Sequence, residues 1–221
     1  MIAKNLLTTT IKPLQNSDTI AEALQLMGEH YVKHLPIIQQ GVVTAVLSEE
    51  DALALKPNSK IQQWTKQLHL PPHTVSENHH IYEVLRLFAE AKLTAVPVVN
   101  DEHKYVGIIT LEDLLSYLGK SASFKEVGSI IVLEMERRDY SLAELSRIIE
   151  SENAIILSTF ITHLPEPNMI EVTIKIDREN VQFIINGLER HGYTVKAYFT
   201  EHQYIDTLKE RYDALMLFLN V

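Results

Sequence analysis

The sequence predicts an α+β protein built in two parts, and three observations carry that prediction. A helix–strand–turn–strand–helix pattern occurs twice, about 61 residues apart, in the first 120 residues. A βαββαβ order follows from about residue 127. Composition leaves room for a core in each part: of 221 residues, 46% are hydrophobic and 22% charged, well away from the composition of disordered chains.

The repeat is read from its apolar stripes. Ile20, Ala23, Leu24 and Met27 recur at i, i+3, i+4, i+7, and so do Ile81, Val84, Leu85 and Phe88, each predicting an amphipathic helix. A proline inside an apolar run follows both helices, at Leu35-Pro36-Ile37 and Val96-Pro97-Val98. Hairpin turns are expected at Gln39-Gln40-Gly41 and at Asn100-Asp101-Glu102-His103, the second one residue longer. Each second strand ends in a hydroxyl residue with Asp three on: Ser48-Glu49-Glu50-Asp51 and Thr110-Leu111-Glu112-Asp113. Short extended stretches precede the copies, Thr9–Pro13 and His73–Ser76. Units of this size bury little alone, so the two copies are expected to share a core. In the linker, Ile61 and Trp64 fit one helical turn, with Trp64 as packing, and Pro71-Pro72 restart an extended segment.

In the second part, Ser129–Met135 reads as a strand. Ser141 and Glu144 form a capping box for a helix carrying Leu142, Leu145, Ile148 and Ile149. Ala154–Ile161 and Ile170–Ile176 read as strands joined at Pro165–Asn168, the latter alternating apolar and polar. Asp177 is placed to cap a helix carrying Val181, Ile184, Ile185 and Leu188, closed by Gly192. Tyr193–Phe199 is the last strand. Beyond it Ile205, Leu208, Tyr212, Leu215 and Leu219 step by 3, 4, 3, 4, a seam that either pairs with another helix or docks on its own chain.

Several function classes are excluded or disfavoured. With 20 Lys+Arg against 29 Asp+Glu the net charge is −9, which repels phosphate backbones, so nucleic acid is not an expected partner. Cysteine is absent, which removes disulfides, thiol nucleophiles and Cys-ligated metals and fits a reducing compartment. No run of about 18 apolar residues exists, so a membrane span is not expected and a cytoplasmic location is the default. The His residues lack metal-ligand spacing: His79 and His80 are adjacent, and His69 and His73 are separated by Pro71-Pro72. No nucleophile–base motif is present, and an enzyme is not expected.

The ordered set, Leu35-Pro36 with Ser48–Asp51 and Val96-Pro97 with Gly107–Asp113, resembles a tandem CBS-domain module, also called a Bateman module. The first copy departs from it: Ala45 stands at the Gly position and Ser48 at the Thr. The second region is similar to an ACT domain, of ferredoxin-like fold. CBS unit 1 is placed at 1–60, CBS unit 2 at 61–122, the ACT-like domain at 127–200 and a C-terminal helix at 203–221. The order of domains resembles that of acetoin-utilisation accessory proteins.

That resemblance implies a regulatory sensor of an adenosine-containing ligand such as AMP, ADP or ATP; S-adenosylmethionine or a cyclic dinucleotide would also suit it. Asp51 with Ser48 and Asp113 with Thr110 would hold ribose or phosphate. Thr10, Ile11, Thr74 and Val75 would line the adenine slot, although Ile11 and Val75 also read as plain core. Lys33, His34 and Thr94 would face the phosphate, while Lys92 reads as a solvated side chain. A bland reading stands beside this one, in which Ser48 and Thr110 are only helix N-caps. The turn at Arg137–Ser141 lacks the glycine that amino-acid-binding ACT domains carry there. Asp139 and Ser141 are the candidates for such a ligand, with capping the simpler role for Ser141. A homodimer through the ACT-like sheet edge and a regulated protein partner are the expected associations. The alternatives are a ligand-free oligomerisation or interaction module regulating a partner enzyme, and amino-acid sensing by the ACT-like domain.

Overall fold

A computed structural model describes residues 1–65 and 72–200. The C-terminal seam from Ile205 to Leu219, with the helix expected at 203–221, lies outside the described residues, as do His69 and Pro71. The chain divides into two compact units, Met1–Gly119 and Lys120–Val221.

In the first unit each repeat forms a three-stranded sheet. β1 (Leu14–Gln15) runs parallel to β2 (His34–Gln39), which pairs antiparallel with β3 (Val42–Ser48). The helices of this repeat are α1 (Ile20–Glu29) and α2 (Glu49–Leu53), followed by α3 (Ile61–Thr65). The second repeat has β4 (Val75–Ser76), β5 (Ala95–Val99) and β6 (Tyr105–Thr110) in the same arrangement, with α4 (Ile81–Ala91) and α5 (Leu111–Leu118). The helices match the stripes: Ile20, Ala23 and Met27 are buried on α1, and Ile81, Val84 and Phe88 on α4. The short first strand of the second repeat, β4, falls within the expected His73–Ser76 stretch, but that of the first repeat differs from expectation. β1 falls at Leu14–Gln15, beyond the Thr9–Pro13 stretch, because Leu14 is the residue paired with Ile37 on β2.

Two cores form rather than one, and each draws on both repeats. Ala95 and Ile108 pack into the cluster around Leu35, Ile37 and Leu47. Ala3 and Leu6 pack into the cluster around Val84, Val96 and Leu114. The first residues of the chain thus serve the second repeat: Ala3 N–H donates to the His79 carbonyl, and Thr8 exchanges backbone hydrogen bonds with Ile108. Conversely Ile20 N–H donates to the Ser59 carbonyl and Ile61 N–H to that of Asp18. Gly107 is where this exchange is tightest. A Cβ there would lie 2.9 Å from Leu7 Cδ1 and 3.0 Å from the Thr8 carbonyl oxygen.

The second unit begins with α6 (Ala122–Lys125) and has four antiparallel strands. They are β7 (Ser129–Glu136), β8 (Ile156–His163), β9 (Met169–Ile176) and β10 (Thr194–Phe199), in the sheet order β10-β7-β9-β8. With α7 (Leu142–Ser151) between β7 and β8 and α8 (Gln182–Arg190) between β9 and β10, this is the ferredoxin-like arrangement. Both helices bury their apolar stripes on one face of the sheet, against Ile131, Leu133, Ile170, Val172 and Ile174. Two capping expectations are corrected. Ser141 caps α7 by accepting from Glu144 N–H, but the Glu144 carboxylate instead accepts from the Tyr193 hydroxyl at 3.0 Å. Asp177 does not cap α8, whose N-cap is Val181; its carboxylate accepts from Ile155 N–H at 2.7 Å and holds the start of β8.

Candidate functional site

The two hydroxyl-x-x-Asp elements sit at the mouths of α2 and α5, where four backbone N–H groups lack helical partners. At α5 the box is complete. Asp113 N–H donates to Thr110 Oγ1 at 3.0 Å, and both Thr110 N–H (3.1 Å) and Thr110 Oγ1–H (2.6 Å) donate to Asp113 Oδ2. Thr110 is buried and Asp113 half-buried. At α2 the box is only half made. Asp51 N–H donates to Ser48 Oγ and Ser48 Oγ–H to Asp51 Oδ2, on an exposed carboxylate and a five-residue helix. In both elements the hydroxyl proton is used inside the cap. Among the described residues Asp113 Oδ1 makes no hydrogen bond and is free to accept from a ligand.

A cleft of about 460 Å³ opens beside α5. It is lined by His30, Tyr31 and Val32 from the end of α1, by Thr94, and by Thr110, Leu111, Glu112, Leu115 and Ser116. Tyr31 stands in the left-handed region at φ 53° and is 90% exposed, so its ring is presented at the rim. Leu111 and Leu115 add two partly exposed apolar side chains to the lining. Sequence reasoning named Thr94 and Thr110 but missed Tyr31, Leu111 and Leu115. One signal was available: Tyr31 lies 61 residues before Lys92, and both occupy the left-handed turn between a helix and its following strand.

Thr94 also joins the two repeats. Lys33 N–H donates to its Oγ1 at 2.7 Å, and Thr94 N–H donates to His34 Nδ1 at 3.2 Å. Because Nδ1 accepts, the ring is neutral, with its proton on Nε2. Burial holds the His34 pKa below its ordinary 6.5, outweighing the upward pull of Asp51 and Glu49. The Lys33 ammonium lies 3.7 Å from Glu49 in an exposed pair, worth little energetically.

The predicted adenine slot is not assembled at this cleft. Thr10, Ile11, Thr74 and Val75 are absent from its lining. Ile11 and Val75 are buried in the two separate cores, which is the plain packing role, since each is the inward residue of its stretch. Thr10 N–H donates to Thr8 Oγ1 at 3.2 Å, and its hydroxyl oxygen accepts from the Thr8 hydroxyl at 3.1 Å. Ser141 is spent on capping, and Asp139 lies 3.7 Å from Arg138 on an exposed 3-10 turn. Among the described residues no three His, Asp or Glu side chains gather as a metal site, and no helix is long and apolar enough to cross a membrane.

Comparison with known proteins fixes the family of the first unit. The CBS domain model matches residues 3–57 and again 66–120. The CBS domain-containing protein YhcV of Bacillus subtilis is 30% identical over 114 residues, covering 50% of this chain and 81% of that protein. The chain belongs to the CBS-domain family. An uncharacterised protein of Methanocaldococcus jannaschii is 22% identical over 207 residues, covering 87% of this chain and 74% of its own length. Among solved structures, a CBS domain pair/ACT domain protein from Thermotoga maritima is 28% identical with a TM-score of 0.47, covering 53% of this chain and 96% of that one. Of the enzymes it matches, the chain spans only 21–23% of the length.

Proposed function

We propose that the CBS pair is a regulatory sensor that holds the adenosine part of a ligand in the cleft beside α5. The observation that carries the proposal is the unbonded Oδ1 of Asp113 in the α5 cap; Asp113 is not itself in the cleft lining, but its cap partner Thr110 is, together with Tyr31, Leu111 and Leu115. A carboxylate oxygen accepts from ribose hydroxyls, and the α5 N-terminus favours a negative charge. Tyr31 supplies a ring to stack on a purine, with Leu111 and Leu115 forming the apolar floor. The lining contains Glu112 and neither Lys nor Arg. That charge favours AMP or S-adenosylmethionine over ADP and ATP. The half-made box of Ser48 and Asp51, with Lys33 close by, is the weaker second position; His34 positions Thr94 instead of meeting ligand. The ligand acts by population shift, favouring the arrangement of the dimer for which its affinity is greater. The ACT-like unit contributes the dimer contact, and the regulated enzyme is a separate protein.

The test is thermal unfolding of the purified protein with AMP, ADP, ATP, S-adenosylmethionine, cyclic dinucleotides and amino acids. A ligand at 100 times its Kd stabilises by about 2.7 kcal/mol. The expected result is a shift with an adenosine compound that disappears in Asp113→Asn. Absence of any shift overturns the sensor reading. It would leave the second reading, a ligand-free interaction module, which rests on the closed caps and on Leu53 and Leu115, exposed at corresponding positions of the two repeats (68% and 59%).

A further inference from the structure

The mouths of α2 and α5 are joined by a short relay of hydrogen bonds. Lys33 and Thr94 hold equivalent positions in the two repeats, 61 residues apart. Each gives its carbonyl oxygen to the first N–H of the helix after its hairpin: Glu49 N–H donates to Lys33 at 2.8 Å and Leu111 N–H to Thr94 at 3.0 Å. The two positions also bond each other, since Lys33 N–H donates to Thr94 Oγ1 at 2.7 Å. His34 closes the relay. Its Nδ1 accepts from Thr94 N–H at 3.2 Å, and Thr94 Oγ1 stands at the same distance. The second repeat has no counterpart of this ring, because Ala95 occupies the equivalent position. One titratable side chain therefore sits in the path from α2 to α5, and the residue it holds, Thr94, lines the α5 cleft.

We propose that His34 is a proton-operated coupler of the two helix mouths: neutral, it locks Thr94 against Lys33 and keeps the α5 cleft fit for its ligand; protonated, it releases Thr94 and weakens binding there. The ligand part rests on the sensor reading; the coupling of the mouths does not. The chemistry is a change of role at one atom. Nδ1 of the neutral ring accepts, whereas both nitrogens of the imidazolium donate. A protonated Nδ1 sets a donor against the Thr94 N–H, so the ring turns away or Thr94 moves. Movement of Thr94 reaches Leu111 through its carbonyl and Glu49 through Lys33. Of the charged groups that act on the ring, Asp51 and Glu49 of α2 favour the proton and Lys33 beside it opposes it, while burial opposes it most. Ser48, opposite on β3, and Thr94 do not titrate. The ring is thus neutral near pH 7 and takes its proton below about pH 6.5, so the coupler acts on acidification. Linkage gives the sign: a ligand that prefers the bridged form binds more weakly as the pH falls through the His34 titration.

The coupling is tested first without ligand, by amide NMR spectra of the isotope-labelled full-length chain from about pH 8 to about pH 5. The Leu111 and Glu49 amides are expected to move with the midpoint of the His34 ring, although neither is bonded to it. His34→Asn offers an amide oxygen as acceptor, which takes no proton in this range, and both amides should then keep their high-pH positions. The ligand arm uses adenosine, which has no group titrating in that range, so only the protein's titration is read. Its Kd is expected to rise roughly two- to tenfold from the high end of the range to the low end, the worth of one lost hydrogen bond, and to stay flat in His34→Asn. Amides of Leu111 and Glu49 that ignore the His34 midpoint overturn the proposal, a result the wild-type chain gives even where His34→Asn fails to fold. A pH dependence of adenosine binding that survives in His34→Asn also overturns it and assigns the effect to His30 in the cleft lining. Tighter binding at low pH overturns it too, since the imidazolium would then meet the ligand. If adenosine binds at no pH while the amides follow His34, the sensor reading falls and the coupler is supported.

Discussion

The two repeats of the CBS pair began from the same pattern and ended in different chemistry. At α5 the box closes around a buried threonine and a half-buried aspartate; at α2 the same spacing leaves a half-made box on a short, exposed helix. The rim residue is Tyr31 for the α5 cleft, and its counterpart Lys92 is a charged chain in the same left-handed turn. The strand before each box differs as well. Gly107 lies under Leu7 and Thr8, whereas Ala45 keeps its methyl group in the core. The difference teaches that a repeat conserves its fold more readily than its site. Fold needs only apolar residues at the right period, while a site needs particular atoms in one cleft.

The sharpest way to break this comparison is to ask the two aspartates the same question. Asp113→Asn should remove the ligand-induced stabilisation of about 2.7 kcal/mol at saturating ligand, and Asp51→Asn should leave most of it, as read by thermal unfolding. Equal losses would make the two repeats equivalent and sink the asymmetry. Next in size is the strand pair. Gly107→Ala should cost roughly 1–3 kcal/mol in urea unfolding, because its Cβ meets backbone that has little room to move. Ala45→Gly should cost less, about 1 kcal/mol, from strand entropy and a lost methyl. The caps come third. Thr110→Ala should destabilise by about 1 kcal/mol or more and Ser48→Ala by less, since only Thr110 is buried.

The smallest effect concerns the link between the repeats. His34 is held neutral, with its folded pKa below the ordinary 6.5. The unfolded chain therefore binds the proton more readily. The Thr94–His34 contribution is complete above about pH 6.5 and declines as the pH falls from there through the lowered folded value. His34→Gln should flatten that part of the pH–stability curve. An unchanged slope between pH 7 and 5 would show that the ring titrates as in the unfolded chain.

The sequence was most legible where periodicity carries the information. The stripe Ile81, Val84, Phe88 is buried on α4 as its spacing demands, and Ile170, Val172 and Ile174 alternate inward on β9. The one-residue difference between the two hairpins is also real. It was least legible where a polar side chain had a choice of partners. Glu144 left its expected box for Tyr193, and Asp177 left a helix mouth for the start of β8. Both rivals lie more than 20 residues away in the chain, so no local spacing could announce them.

The sequence by itself determined the two-part order, the doubled unit, the helix stripes, the caps at Ser48, Thr110 and Ser141, and the absence of thiol chemistry. Each of these is a local or compositional property, settled by neighbours within a few residues. Tertiary structure alone decided that Met1–Thr8 packs on the second repeat, that Gly107 has no room for a Cβ, and that Tyr31, Thr110 and Leu115 line one cleft while Ile11 and Val75 go to separate cores. The physical reason is one and the same. These outcomes depend on which surfaces bury each other, and burial joins residues that the sequence holds 60 to 100 positions apart.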